Sequence, residues 1–336
     1  MQINRSIFSV AFLLFLAGLM PLNRNTNNAA PEEANEAVEA AVEAPAAPTS
    51  KVASAVLTQS APDSIYNFAF ENDLLQALAE QAAYLSRSDV KATAAAGITK
   101  QDMLAAVQKI QELQLLDPET LLDEFDFYRV NTSLESDRVR ITGYYTPIVK
   151  ASRERSAEYA IPVYARPNGT APSPSAIAEG ALEGKGLELC WIKSRKELRN
   201  AQLQGNFLAE YEDGSRQHFG FGGSTGSKGN KYVFFQRVSN KVLGCGSFPL
   251  TAGYSVAVDP RYIPIGATLL AELPDLDPAG KLKGYTYRVV FAQDRGGAIL
   301  TTKRLDLYCG IGQKGLAEAH KINGHGRLWV LLPNKK

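Results

Sequence analysis

Cysteine and histidine are scarce in this 336-residue chain, with three of each. Cys190, Cys245 and Cys309 stand far apart, and none is at metal-ligand spacing from His218, His320 or His325. That argues against a Cys/His zinc site. An odd cysteine count leaves two readings open: one disulfide plus a free thiol in an exported chain, or three small buried hydrophobes. Excess charge is missing too. Lys and Arg number 36 against 35 Asp and Glu, for a net charge of +1. With no basic run either, an electrostatic grip on nucleic acid is not expected. There is no tandem repeat. The N-terminal apolar run, Ile7 to Leu22 behind Arg5, has only 16 residues. That is short of the roughly 20 needed to span a membrane and suits a secretory signal. No Cys follows it, so lipid attachment is not expected.

The run of 1–28 is therefore read as a signal peptide or signal anchor, directing export. Residues 29–64, rich in Ala, Glu, Pro and Ser, read as a disordered linker with too little apolar surface to order itself. Helical spacing follows at Leu74, Leu78, Ala82 and Leu85, and again at Met103, Val107 and Ile110. Thr99 with Asp102 forms a capping pair, and Asp117-Pro118 opens a third helix. From Val139 onward the pattern is one of short strands broken by Gly, Pro, Asn and Asp, as in a barrel or sandwich.

Three aspartates carry the chemistry: Asp259 in SVAVDPRYIPIG, Asp294 in VVFAQDRGGAI and Asp306 in KRLDLYCGIG. Each closes an apolar run ahead of turn residues, so three strand ends are expected to bring three carboxylates to one rim. A carboxylic acid kept protonated there is a general acid for acetal cleavage. Asp294-Arg295-Gly296 has Arg where aspartic proteases have Thr or Ser, and no second such motif supplies a partner. A protease pair is not expected, and neither is a metal site, for want of an oxygen-rich loop. Tyr144 and Tyr145 in ITGYYTP must point to opposite faces of a strand, one inward and one toward a cleft. FGFGGSTGSKGN has five Gly and lacks the G-x-x-x-x-G-K-[ST] order of a phosphate loop. It is expected to be an irregular loop, with Gly222 and Gly223 letting the backbone approach an extended ligand.

The segments TAGYSVAVDPRYIPIGATLLAEL, VVFAQDRGGAILTTKRLDLYCGIG and GRLWVLLP, with ITGYYTP and KYVFF upstream, resemble the membrane-bound lytic murein transglycosylase A family and its C-terminal 3D domain. The resemblance runs from about Arg138 to Pro333. It implies a mainly β chain: a double-psi β-barrel interrupted by a smaller inserted β domain, with N-terminal helices. On this chain the barrel maps to 65–145 plus 245–336 and the insert to 146–244. The resemblance implies no cofactor, peptidoglycan glycan strands as the partner, and a periplasmic or outer-membrane-associated place in the envelope. The N-terminal segment, if uncleaved, would anchor the chain to a membrane; nothing in the sequence argues against a monomer. It places the catalytic acid on Asp306, a supporting aspartate on Asp294 and the third carboxylate on Asp259. An ionised Asp294 is expected to raise the pKa of Asp306 by like-charge repulsion. Tyr144, Tyr145 and Gln204, the last within QLQGNF, fall on the substrate side. That element and the short GSKGN connection both depart from the family pattern, leaving glycan preference open. Two rivals remain: a non-catalytic expansin-like wall binder, and a hydrolase in which Asp259 positions water.

Overall fold

The computed structural model describes residues 56–69, 73–90, 97–113, 116–132, 138–227, 229–239 and 241–334. The N-terminal apolar run and most of the segment read as a linker lie outside the described residues.

Strand β1 (Leu57–Gln59) precedes helices α1 (Asp73–Ser86), α2 (Lys100–Glu112) and α3 (Pro118–Glu124), then β2 (Phe125–Val130) and β3 (Val139–Thr146). A middle stretch carries β4 (Ile148–Ser152), β5 (Ile161–Tyr164), α4 (Pro174–Ala178), β6 (Glu188–Ile192) and α5 (Arg195–Gln204). It continues with β7 (Phe207–Tyr211), β8 (Arg216–Ser227) and β9 (Asn230–Arg237). The chain then runs through β10 (Ser255–Ala257), β11 (Thr268–Leu276), β12 (Leu282–Asp294) and β13 (Arg304–Ile311). It ends with α6 (Gly312–Lys321), β14 (Asn323–Gly326) and β15 (Leu328–Pro333). The fold is mainly β, and its strands form two sheets. Nine strands order as β1-β2-β15-β11-β12-β10-β13-β3-β14, and six as β5-β6-β4-β7-β8-β9. All six strands of the smaller sheet fall between β3 and β10 in sequence, so it interrupts the larger one.

Apolar runs explain the larger sheet. Leu269, Leu270 and Ala271 of β11 pair with Val330, Trp329 and Leu328 of β15, all buried. A strand buried on both faces needs a continuous apolar run rather than alternation. Helices α1 and α2 lay Leu74, Leu78, Leu85, Met103, Val107 and Ile110 into the same core. These are the positions that helical spacing marks, each worth about 1.5–3 kcal/mol when fully buried. Thr99 and Asp102 form the expected reciprocal capping box, and Asp117 caps α3 with Pro118 at its first turn. The smaller sheet has its own core of Val149, Val163, Phe207, Phe219 and Phe235, closed by Leu198 and Ala201 of α5.

The edge strand β14 lies against β11 at one glycine. A Cβ on Gly326 would lie 1.8 Å from the carbonyl oxygen of Glu272, so β14 reaches β11 only because that atom is missing. The Glu272 side chain is fully buried and held by Arg327, Arg138 and the Tyr287 hydroxyl.

Three expectations need correcting. Leu57–Gln59 lies inside the stretch read as a linker, yet it pairs antiparallel with Tyr128–Val130. An unpaired strand edge supplies backbone partners, so no apolar face is required. The glycine-rich segment is not an irregular loop: it forms most of β8, paired along its length with β9. Its side chains contribute little, but Val233, Phe234 and Phe235 of β9 carry the packing. The irregularity is confined to a bulge between Phe221 and Gly223. Finally, Asp306 does not close a strand. It is the third residue of β13, which continues to Ile311 because Leu307, Tyr308 and Cys309 are all buried.

Candidate active site

The register of three strands brings Asp294 and Asp306 onto one face. Ala257 of β10 is the register partner of Asp294 on β12 and of Asp306 on β13. The β10–β12 ladder bulges between Val256 and Ala257, and Ala257 then stands between the two aspartates, which lie two strand spacings apart, about 9–10 Å between backbones. The alternate positions Val256, Leu305 and Leu307 go into the core, and the carboxylates therefore face away from it. On the far side of β13, Thr142 of β3 is the partner of Asp306, and Tyr144 that of Tyr308.

Asp306 is partly buried and fully engaged. Arg304 Nε donates to Oδ1 at 2.9 Å and Nη2 to Oδ2 at 3.1 Å. The Thr142 hydroxyl donates to Oδ1 as well, and Arg304 Nη2 also reaches the Thr142 oxygen at 3.3 Å. The fork is possible because residues i and i+2 of a strand share a face. Asp294 has three donors of another kind: the Tyr144 hydroxyl at 2.8 Å, and the backbone N–H groups of Cys245 at 3.1 Å and Arg295 at 2.9 Å. Burial pushes the Asp294 carboxyl above its ordinary value, and these hydrogen bonds only partly offset the rise. Burial, with Asp294 beside it, likewise holds the Tyr144 hydroxyl well up. Asp294 thus carries a raised value, and the charge in direct contact with Asp306 is Arg304.

Asp259 is buried but turned elsewhere. Its carboxylate takes both Nε and Nη2 of Arg261, the latter at 2.6 Å, and Arg261 Nη2 also ties to the Leu300 carbonyl. Tyr145 points off the opposite side of β3 from Tyr144. Its N–H donates to Gln204 Oε1 at 3.1 Å and its hydroxyl accepts from Asn200 Nδ2 at 3.0 Å, both on or at the end of α5. Beside it lies a cleft of about 630 Å³ lined by Tyr145, Lys193, Ser194, Lys196, Glu197 and Asn200. A second cleft of about 330 Å³, with Arg153, Trp191 and Arg237, is built wholly from the smaller sheet and its loops and involves none of the aspartates.

Gly222 and Gly223 are accounted for by packing. A Cβ on Gly222 would lie 2.6 Å from the Phe235 carbonyl oxygen, and one on Gly223, at φ +123°, 2.6 Å from Arg166 Cδ. The hairpin they bend is close to the carboxylate loop, since Lys231 Nζ comes within 3.3 Å of where a Gly297 Cβ would be. Cys190, Cys245 and Cys309 are three separate thiols, which settles the open choice against a disulfide. Cys190 and Cys309 are buried.

Sequence reasoning did not reach Arg304, Thr142 or the Cys245 N–H. The first two have a readable signal: Arg304 stands two before Asp306, and Thr142 two before Tyr144, on shared strand faces. The third depends on a long-range contact that no local pattern encodes.

Two family models match the chain: the 3D domain over residues 254–332, which hold all three aspartates, and the MltA specific insert domain over 140–174. Membrane-bound lytic murein transglycosylase A of Escherichia coli K12 is 32% identical over 240 residues, 57% of this chain and 65% of that protein. The protein of the same name from Vibrio cholerae is 26% identical over equal shares. The chain thus spans about 65% of the length of the curated relatives it matches. Among solved structures, E. coli MltA with bound chitohexaose covers 82% of this chain and 93% of its own, at 26% identity and a TM-score of 0.68. A membrane-bound lytic murein transglycosylase from Agrobacterium tumefaciens, 20% identical with a TM-score of 0.67 over 83% and 98%, shares the fold. In fold, in the two domain models and in these relatives, the chain is similar to the membrane-bound lytic murein transglycosylase A family.

Proposed function

We propose that this protein is a lytic transglycosylase. It would cleave the β-1,4 bond between N-acetylmuramic acid and N-acetylglucosamine in peptidoglycan and leave 1,6-anhydromuramyl ends. The observation that carries this is Asp306, a partly exposed carboxyl set mid-strand in register with Thr142 and Ala257, while the neighbouring Asp294 is buried against Tyr144. Chitohexaose bound to the E. coli relative supports a glycan strand as the ligand.

Ordinary glycosidases need two carboxyl groups, an acid and a base or nucleophile. Here one suffices. Asp306, protonated, gives its proton to the bridging oxygen as the C1–O bond breaks and positive charge develops at the muramic C1. The resulting carboxylate takes the proton of the same sugar's C6 hydroxyl while that oxygen bonds to C1. Asp306 ends as it began, and no water is consumed. Because the nucleophile belongs to the substrate, its approach has no further entropic barrier. Asp294 and Tyr144 form a buried pair across Ala257 that shapes the site wall, and Asp294 when ionised opposes the charge at C1. Tyr145, Gln204 and Asn200 line the glycan path beside the α5 cleft, while Gly222 and Gly223 shape the bordering hairpin. Asp259 supports the loop through Arg261.

On this account residues 65–145 with 245–336 are the catalytic barrel, with a double-psi crossing, and 146–244 the substrate-side insert. The N-terminal segment exports a monomeric enzyme to the cell envelope, as the membrane-bound names of its relatives support. Mass spectrometry of products from purified peptidoglycan tests the chemistry. Muropeptides lighter than the hydrolytic product by one water are expected. Reducing ends of ordinary mass would make it a hydrolase, and binding without release would leave an expansin-like wall binder.

A further inference from the structure

Asp306 has to be an acid in one half of the reaction and a base in the other, yet its immediate neighbour is a guanidinium. Arg304 meets both carboxyl oxygens, at 2.9 and 3.1 Å, and the Thr142 hydroxyl joins at Oδ1. Such a paired fork recognises a carboxylate, and its planar donors fix the direction of the two oxygens as well as their charge. The Arg304 side chain is 37% exposed and that of Asp306 16%, so the arginine lies over the carboxyl on its solvent side. A sugar arriving at Asp306 from that side meets Arg304 first.

Several groups surround Asp306. From β3 come Thr142, Tyr144 and, one register step away beside Arg304, Arg140, which is turned to Asn323 of β14; from β10 comes Ala257, and from β13 itself Arg304 and Tyr308. Across β10 stands Asp294, occupied by Tyr144 and two backbone N–H groups. The Cys309 thiol, pushed up to about 12 by burial, is uncharged at neutral pH. Of these, Arg304 is the positive charge that contacts the Asp306 carboxyl. Thr142 also touches Arg304, so the three side chains form a closed triangle on adjacent strands.

We propose that Arg304 is a positioning residue for this reaction: its fork, braced by Thr142, orients Asp306 and stabilises the carboxylate that exists between bond cleavage and ring closure. The proposal rests on the transglycosylase chemistry above and assigns to Arg304 no proton and no bond. In the acid half Asp306 transfers its proton to the bridging oxygen, and the negative charge left behind is met by the guanidinium. In the second half the C6 hydroxyl proton returns to Asp306 and the charge disappears.

The test is kcat and KM for anhydromuropeptide release by the full chain, with Arg304→Gln, Arg304→Lys and Thr142→Val alongside wild type. Arg304→Gln is expected to lower kcat by about tenfold to a hundredfold, as for a misplaced reacting group, with KM near that of wild type. Arg304→Lys retains the charge without the fork and should recover only part of the lost kcat. Thr142→Val removes the brace and lowers kcat severalfold, again at unchanged KM. A merely structural Arg304 predicts lower thermal stability with kcat of the folded enzyme near that of wild type in both arginine variants. That outcome, in an active wild-type background, overturns the proposal alone. A wild-type chain that releases no anhydro products overturns the transglycosylase assignment and this proposal with it.

Discussion

Removing one oxygen atom, in Tyr144→Phe, probes the electrostatics of the buried Asp294 most finely. The Tyr144 hydroxyl donates to Asp294 Oδ2 at 2.8 Å, while Oδ1 accepts from Cys245 and Arg295. The substitution therefore leaves Oδ2 without its donor and changes little else, since the ring keeps its contact with Tyr308, 5.3 Å between centroids. A hydrogen bond to a charged group is worth about 1.5–3 kcal/mol, and one to a neutral group about 0.5–1.5 kcal/mol. The loss of stability thus depends on the protonation of Asp294. Burial raises the Asp294 value above that of the unfolded chain. Its contribution to stability is then fully present below the unfolded value and is lost as pH rises through the folded value. The Tyr144 bond opposes that loss by favouring the carboxylate, so deleting it pushes Asp294 further up and steepens the loss. Urea unfolding of wild type, Tyr144→Phe, Asp294→Asn and the double variant, at pH 7.5 and pH 4, measures the coupling directly. We expect about 1.5–3 kcal/mol at the higher pH and clearly less at the lower. Equal coupling at both values, or none at pH 7.5, refutes the assignment of Asp294 as the buried carboxyl held by Tyr144.

Glu272→Gln should destabilise the fold by about 3–5 kcal/mol in denaturant unfolding, because the fully buried carboxylate is the shared partner of Arg327 and Arg138. Burial alone would raise Glu272, but Arg327 and Arg138 bring it below its ordinary value. Its contribution is accordingly present above the unfolded value and is lost as pH falls through the folded one, so the variant's deficit should shrink in acid. Gly222→Ala drives a methyl against the Phe235 carbonyl at 2.6 Å and is expected to cost about 1–3 kcal/mol in thermal unfolding, with or without glycan. A Gly222→Ala variant as stable as wild type but weakened in sacculus binding would instead make this glycine a ligand contact. Gly326→Ala should yield little folded protein, since the obstructing atom is a backbone oxygen only 1.8 Å away.

How far the sequence was readable follows from what each feature depends on. Helices α1 and α2 were visible because Leu74, Leu78, Met103 and Val107 repeat at a local period, and the α2 cap sits within four residues of sequence. The strands of the large sheet were visible for the same reason, as buried runs such as TLLAEL and LWVLLP. The glycine-rich β8 is not legible in the sequence because propensity describes side chains, and this strand is held by its backbone against the side chains of β9. Strand β1 has no apolar pattern to read, since it only completes an edge. Among the candidate site residues, Asp294 and Asp306 stand out in sequence as carboxylates beside apolar runs, and the family resemblance supplies their expected roles. Their relation was not legible, because it depends on both being register partners of Ala257, a residue with no chemistry of its own. Arg304 was written next to Asp306 all along, yet its meaning required knowing that Asp306 lies inside a strand rather than at its end. Asp259 shows the converse: it stands in the motif, but Arg261 two residues later claims its carboxylate.

The central claim is that Asp306 alone supplies both the acid and the base. It is tested most directly by incubating purified sacculi with the full chain carrying Asp306→Asn and measuring, in one sample, sedimentation with the sacculi and release of anhydromuropeptides. The account predicts binding equal to wild type and no anhydro product above the enzyme-free control. Release within tenfold of the wild-type rate, given that a positioned general acid or base contributes about 10²–10⁴-fold, would contradict it and move the proton transfer to another group, with Asp294 the first to examine.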